Sequence, residues 1–260
     1  MTGTPTPGPV TRRHPRLAGL ILANLLAVLL CGALVALGTW QVHRRAWKLE
    51  LIARVEANAH GDPVAAPGPA DWPALSDRDA YRRVRLDGTW LDGPDTLVRA
   101  VTDLGGGFWV LTPLRTEDGF VVLVNRGFVP GDRRDPATRT GVGGTRAAVT
   151  GLLRLDEPGG AFLRKNDPGA DTWYSRDVAA IARARGLAGP VAPYFVDAER
   201  RPGSDVDRDL GAGLPVGGLT VIRFHNNHLI YAITWYTLAL MVAGGALYLD
   251  RDAWRRGRAA

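Results

Sequence analysis

Two stretches of the sequence are apolar on every side of a helical wheel. Residues 17–39 carry no charge, with Asn24 as the single strongly polar side chain, and residues 229–249 are likewise uncharged. At about 1.5 Å of rise per residue the first covers roughly 34 Å, more than the about 30 Å of a hydrocarbon core. Uniform apolarity over such lengths points to membrane spans rather than buried core helices, so 17–41 and 228–249 are predicted as two transmembrane helices. A cleaved signal peptide would have a shorter apolar run. A lipoprotein signal would need a small residue before Cys31, where Leu30 stands.

Beyond the first span the pattern stays helical but becomes amphipathic. Trp47, Leu51 and Val55 recur every four positions, while Arg44, Lys48, Glu50, Arg54 and Glu56 fill the other faces. This predicts a helical extension over 42–60, ending near Gly61 and Pro63. Residues 61–79, with five Pro and Gly in the first nine positions, read as a linker. The period then changes to short runs of Val, Leu, Phe and Thr broken by Gly, Pro and Asp, which predicts strands. These are 81–90, 96–101, 108–115, 120–128, 147–154, 192–197 and 219–224, with a hairpin turn at Asp118-Gly119. A helix is predicted from a Ser175 cap to Arg185, stopped by Gly186, and the Gly- and Asp-rich stretches 131–145 and 199–218 read as mobile loops. Residues 80–227 thus form one mainly antiparallel β domain of α+β class, a small barrel or curled sheet.

Charge adds orientation. Residues 1–16 carry three Arg and no acid, and 250–260 carry four Arg against Asp250 and Asp252. By the positive-inside rule both tails, the first of them disordered, are cytoplasmic and the β domain is extracytoplasmic. Arg44, Arg45 and Lys48 vote the other way, although the rule is weak for a long translocated domain. The tails account for nearly all of the formal charge of +6, so the basic character reports topology and offers no nucleic-acid surface. Cys31 is the sole cysteine, which excludes an intrachain disulfide and a cysteine-based metal site.

Catalytic signals are absent. The region between the two spans has Ser76, Ser175 and Ser204, none in a Gly-x-Ser-x-Gly setting, and Gly105-Gly106-Gly107 lacks the Lys and Ser/Thr of a phosphate cradle. Histidine is more informative: of five in the chain, His43 follows the first span, and His225 and His228 precede the second. An imidazole there can be a haem ligand, a metal ligand, a proton carrier or an interfacial polar group. Trp40 and Trp47 on the first helix, and Tyr231, Trp235 and Tyr236 on the second, surround the same level. Tyr231 and Trp235, four apart, share a face below the interface, where a polar-edged aromatic more often meets protein or ligand than lipid.

These residues fall into a known pattern. Gly38-Thr39-Trp40-Gln41, then Arg44 and Trp47-Lys48, resemble the opening motif of the surfeit locus protein 1 family, assembly factors of haem-copper cytochrome c oxidase. Residues 123–130, Leu-Val-Asn-Arg-Gly-Phe-Val-Pro, resemble its central strand motif, with Phe128 where Trp is more usual. Asn166-Asp167-Pro168, Trp173-Tyr174 and Arg176-Asp177 resemble its next segment, Pro193-Tyr194-Phe195-Val196-Asp197 a following strand, and residues 226–236 its approach to the second span. The resemblance runs from about residue 17 to residue 249 in order.

The resemblance implies a non-enzymatic factor in the plasma (inner) membrane of a respiring bacterium. Its partners would be the oxidase core subunit, membrane lipid and haem a synthase, and its cofactor a transiently held haem a. The histidine that opens the second span in that family corresponds to His228, the expected iron ligand. Tyr231, Trp235, Trp40, Gln41 and Arg44 are the residues expected about the macrocycle, and Arg44, Arg45 or Arg223 could pair with its propionates. No motif carries over to His43 or His225, which stand as lesser candidates for the metal. Copper delivery generally uses Cys or Met, and the sequence offers only Met1, Met241 and a Cys31 within the first span, while three histidines lack the fourth ligand of a structural zinc site, so neither copper nor zinc is expected. The chief rival reading is a scaffold that holds the oxidase subunit without haem, with a haem-modifying enzyme behind it.

Overall fold

The computed structural model describes residues 15–93, 95–161, 163–220 and 226–258. The chain divides into two bodies, one of residues 1–51 with 224–260 and one of residues 52–223.

The first body is helical. Helix α1 runs without a break over Pro15–His60, and α4 occupies His228–Arg258. Both are long and apolar enough to cross a membrane. Their leucines explain why water is a poor solvent for them. Leu22, Leu25 and Leu29 are 59%, 57% and 70% exposed, and each leucine left in water forgoes about 1.5–3 kcal/mol of burial. Arg255, Arg256 and Arg258 lie in the last turn of α4, where cations complement the helix dipole.

The second body is built on a mixed sheet. Its strands are β1 (Val64–Ala65), β2 (Arg83–Trp90), β3 (Thr96–Thr102), β4 (Gly105–Thr116), β5 (Val121–Pro130), β6 (Arg146–Leu155) and β9 (Val191–Ala198); β7 (Gly160–Ala161) and β8 (Arg164–Lys165) make a separate small ribbon. The order is β1-β2-β6-β9-β5-β4-β3, and β2 also pairs with β4 through Gly88–Thr116, Thr89–Arg115 and Trp90–Leu114. That extra pairing closes β2, β6, β9, β5 and β4 into a five-stranded barrel, so the curled sheet expected from the pattern becomes a ring. The pairs are antiparallel except β1–β2 and β5–β9.

Strand alternation fills the barrel. Val84, Leu86, Trp90, Leu114, Val122, Val124, Leu153 and Tyr194 form its interior. The opposite face of β5 and β9 is covered as well. Leu123 and Phe195 pack with Leu111, Val98, Trp173 and the buried face of α2 (Val178–Ala184), namely Val178 and Ile181. Val121 to Asn125 are therefore all buried, which is why that stretch reads as a continuous apolar run.

Several segments differ from the sequence expectation. Residues 61–79, expected as a linker, contain β1 and a 3₁₀ turn at Trp72–Ala74. Ala66, Trp72 and Leu75 pack on the barrel core, with Trp72 edge-on to Phe120 at 5.8 Å. Burial of these apolar side chains against the barrel core is what fastens the segment. The cap of α2 is Asp177, whose side chain accepts from Ala180 N, while Ser175 Oγ donates to Glu157 O. Stretch 131–145 is held by 3₁₀ turns at Gly131–Arg133 and Pro136–Thr138, and 199–218 contains α3 (Val206–Gly211). Val216 exchanges two backbone hydrogen bonds with Phe128, both 2.9 Å. These stretches thus contain short helical turns and a backbone pairing where irregular loops were expected. Of the strand expected over 219–224, Leu219 and Thr220 are not in a strand and the rest lies outside the described residues.

Candidate functional site

Within the helical body, α1 and α4 pack antiparallel along one seam. Its members on α1 are Asn24, Ala27, Cys31, Leu34, Gly38 and Gln41, and on α4 His228, Ala232, Trp235, Ala239, Val242 and Ala246. The alternating steps of three and four are those of a coiled-coil interface. They were invisible in the hydrophobic pattern because every face of these helices is apolar; the seam is marked instead by small residues. Gly38 leaves room for the ring of Tyr236, to which a Cβ would come within 2.8 Å. Polar groups pair at four levels. Asn24 Nδ2 donates to Asp250 Oδ1 at 2.7 Å, Cys31 Sγ to Ala239 O at 3.1 Å, Thr39 Oγ1 and Tyr236 OH share a hydrogen at 3.1 Å, and His228 Nδ1 lies 2.7 Å from Gln41 Oε1.

The last pair has chemical content. With the amide oxygen as acceptor, Nδ1 carries the hydrogen and donates it, so Nε2 keeps an unshared electron pair. A hydrogen bond from one ring nitrogen fixes tautomer and ring orientation and raises the basicity of the other, the arrangement common for ligating histidines.

The other expected site residues are placed as follows. His228, Tyr231 and Trp235 stand at i, i+3 and i+7, so they share one side of α4; Tyr231 is exposed and Trp235 half-buried. On α1, Trp40, Arg44 and Trp47 form an exposed ridge, with the Arg44 guanidinium 4.0 Å from the Trp47 ring centre. Arg44 is thus held by a cation–π contact on its own helix. His43 is exposed and lies two residues past Gln41, which turns it away from the row that meets His228. His225 and Arg223 lie outside the described residues.

In the β body, the remaining motifs converge on a buried carboxylate that sequence reasoning passed over. Asp197, 4% exposed, accepts from Asn125 Nδ2 at 2.8 Å, Arg154 at 2.9 Å, Thr220 Oγ1 at 3.0 Å and Arg176 at 3.3 Å. Arg176 also makes a forked pair with Glu157 at 2.9 and 2.6 Å. Burial disfavours the Arg176 charge, but Asp197 and Glu157 outweigh that and raise its pKa above the ordinary value. Asn166 Oδ1 accepts from the N–H groups of Tyr174 and Ser175, and its amide donates to Ser175 Oγ, which brings Arg176 into position. Gly127 has φ +131°, and a Cβ there would stand 2.2 Å from Val216 O. Only glycine allows that strand crossing. The available signal was a single acid ending the buried run 194–197, a charge that needs partners.

The sequence model of the SURF1 family matches residues 28–240 of this chain. The chain belongs to the SURF1 family. Its SURF1-family relatives include a SURF1-like protein of Monosiga brevicollis, 37% identical over 238 residues that cover 85% of this chain and 84% of the relative. Surfeit locus protein 1 of Homo sapiens is 38% identical over 221 residues, covering 78% of this chain and 69% of that protein. Its counterpart in Xenopus tropicalis is 36% identical over 231 residues, covering 82% and 71%. The family match spans the His228–Gln41 pair and the Asp197 network.

Proposed function

We propose that the protein is a membrane-bound, non-enzymatic assembly factor for haem-copper cytochrome c oxidase that holds haem a at the head of α4 for the oxidase core subunit. Family membership supports the assembly role. The observation that carries the haem assignment is the His228–Gln41 hydrogen bond, which leaves Nε2 unshared on a ring of fixed orientation. The donor set fits haem iron: one imidazole, with Tyr231 and Trp235 on the same helical side to lie along a macrocycle. Trp40 and Arg44 flank Gln41 on α1, one on each side in sequence, and Arg44, once released from Trp47, would face a propionate. In this reading α1 and α4 span the plasma membrane, both termini are cytoplasmic and the β body is extracytoplasmic. Haem a synthase is the source of the cofactor.

Co-expression with a haem a-producing system tests the assignment. Purified protein is expected to carry haem a, read by its pyridine haemochrome spectrum, and His228→Ala to lose at least nine-tenths of it. Full haem in the variant would remove His228 as ligand and favour a haem-free scaffold. Normal oxidase activity and haem a content in a strain lacking the gene would end the assembly reading.

A further inference from the structure

One part of the β body is short of negative charge. The Arg126 side chain, from the central strand motif on β5, is 10% exposed, and its nearest carboxylate is Asp95 at 3.9 Å. Asp95 is already shared: Oδ1 accepts from Thr112 Oγ1 at 2.6 Å, and Oδ2 lies 3.5 Å from Arg139, whose side chain is 4% exposed. The Arg139 Nε has no hydrogen-bond partner among the described residues. Two buried guanidinium groups thus face one carboxylate, and their other hydrogen bonds go to the neutral carbonyls of Thr140, Arg133 and Arg134, so their positive charge is only partly balanced. Burial, together with repulsion from Arg201 and Arg139, lowers the Arg126 pKa against the pull of Asp95.

A cavity of about 450 Å³ opens beside Arg126, within the range of small-molecule sites. One part of its wall is apolar, with Trp90, Val149 and Pro215; another is cationic, with Arg126, Arg200 and Arg201. The single acid of the wall, Glu199, is taken on both oxygens by Arg83 at 2.6 and 2.9 Å. Arg201 has Asp209 at 3.3 Å, but that carboxylate also accepts from the Ser204 hydroxyl, and Arg200 has no ion pair among the described residues. The Arg126 guanidinium stands 5.8 Å from the Trp90 ring centre, where apolar and cationic walls meet.

We propose that this cavity binds an amphiphilic organic anion, with its acidic head between Arg126 and Arg201 and its apolar body along Trp90, Val149 and Pro215. The planar guanidinium of Arg126 supplies a fork for the head, and the anion balances the second buried cation. Neither His228 nor haem takes part, so this site stands or falls apart from the assembly reading.

The probe is 6-fluoro-2-naphthoate, titrated into the full chain in zwitterionic nanodiscs and followed by ¹⁹F NMR, with empty nanodiscs as the blank. Saturable binding is expected, weakened at least tenfold by Arg126→Gln and by Arg201→Gln. Arg201 is 56% exposed, so its variant keeps the test decisive should Arg126→Gln fail to fold. The neutral alcohol of the same ring system and inorganic phosphate should each bind at least tenfold more weakly. Equal binding of the alcohol, unchanged binding in Arg201→Gln, or phosphate binding as tight as that of naphthoate would each overturn the proposal.

Discussion

Asp197 in the β body is buried and His228 at the head of α4 is half-buried, and the two polar groups differ in what is left over. Asp197 receives two guanidinium groups, an amide and a hydroxyl, which take up its acceptor capacity. His228 has one described hydrogen bond and a second nitrogen outside it. A buried charge with all partners in place holds a fold together and offers little to a ligand. A group with one valence fixed and another open can hold something else. The same family motifs supply both, so motif membership alone does not separate scaffold from site.

The largest effect should come from emptying the saturated centre. Asp197→Ala leaves Arg154 and Arg176 facing each other with Glu157 as their remaining acid, and should cost about 3–5 kcal/mol of β-body stability. Chemical denaturation followed by tryptophan fluorescence reads this loss, and a change under 1 kcal/mol would show that the network is not structural. Gly127→Ala comes next. The φ of +131° and the approach to Val216 O make any Cβ strained, at roughly 2–3 kcal/mol, and the Phe128–Val216 bonds should open. Faster proteolysis between residues 199 and 218 is the expected sign.

On the open side of the comparison, Gln41→Ala should leave the β-body unfolding midpoint alone yet weaken haem a retention by about 10–100-fold, the usual weight of a ligand's orienting partner. Unchanged retention would show that Gln41 does not position the proposed ligand.

The smallest effect concerns Tyr194, whose buried hydroxyl donates to Pro67 O at 2.8 Å. Burial raises its pKa above the ordinary 10.0, so the neutral form stabilises the fold. Its contribution is complete below the unfolded value of about 10 and is lost as pH climbs toward the raised folded value. Tyr194→Phe should cost about 1 kcal/mol at neutral pH, and the gap in urea midpoint from wild type should narrow toward about pH 11. A gap independent of pH would assign the alkaline loss to other groups.

What the sequence determined by itself were the features written in local periodicity. Two uniformly apolar runs became α1 and α4, the shift to short alternating runs became strands β2 to β6 and β9, and Asp118-Gly119 became a turn with Gly119 at φ +89°. Period and backbone conformation are properties of neighbours in the chain, so the chain suffices to read them. His228 was marked by its place at the start of the second apolar run. Its bond to Gln41 was not legible, because two helices that are apolar all round carry no pattern to say which faces meet; close packing of Gly38, Ala232 and Ala239 decides that. Barrel closure through β2 and β4, the packing of 61–79 on the barrel core and the partners of Asp197 likewise arose only in three dimensions. Arg154 and Arg176 are separated from Asp197 by 43 and 21 residues, and a buried acid's partners are chosen by desolvation and geometry, which act across space and leave no spacing in the sequence.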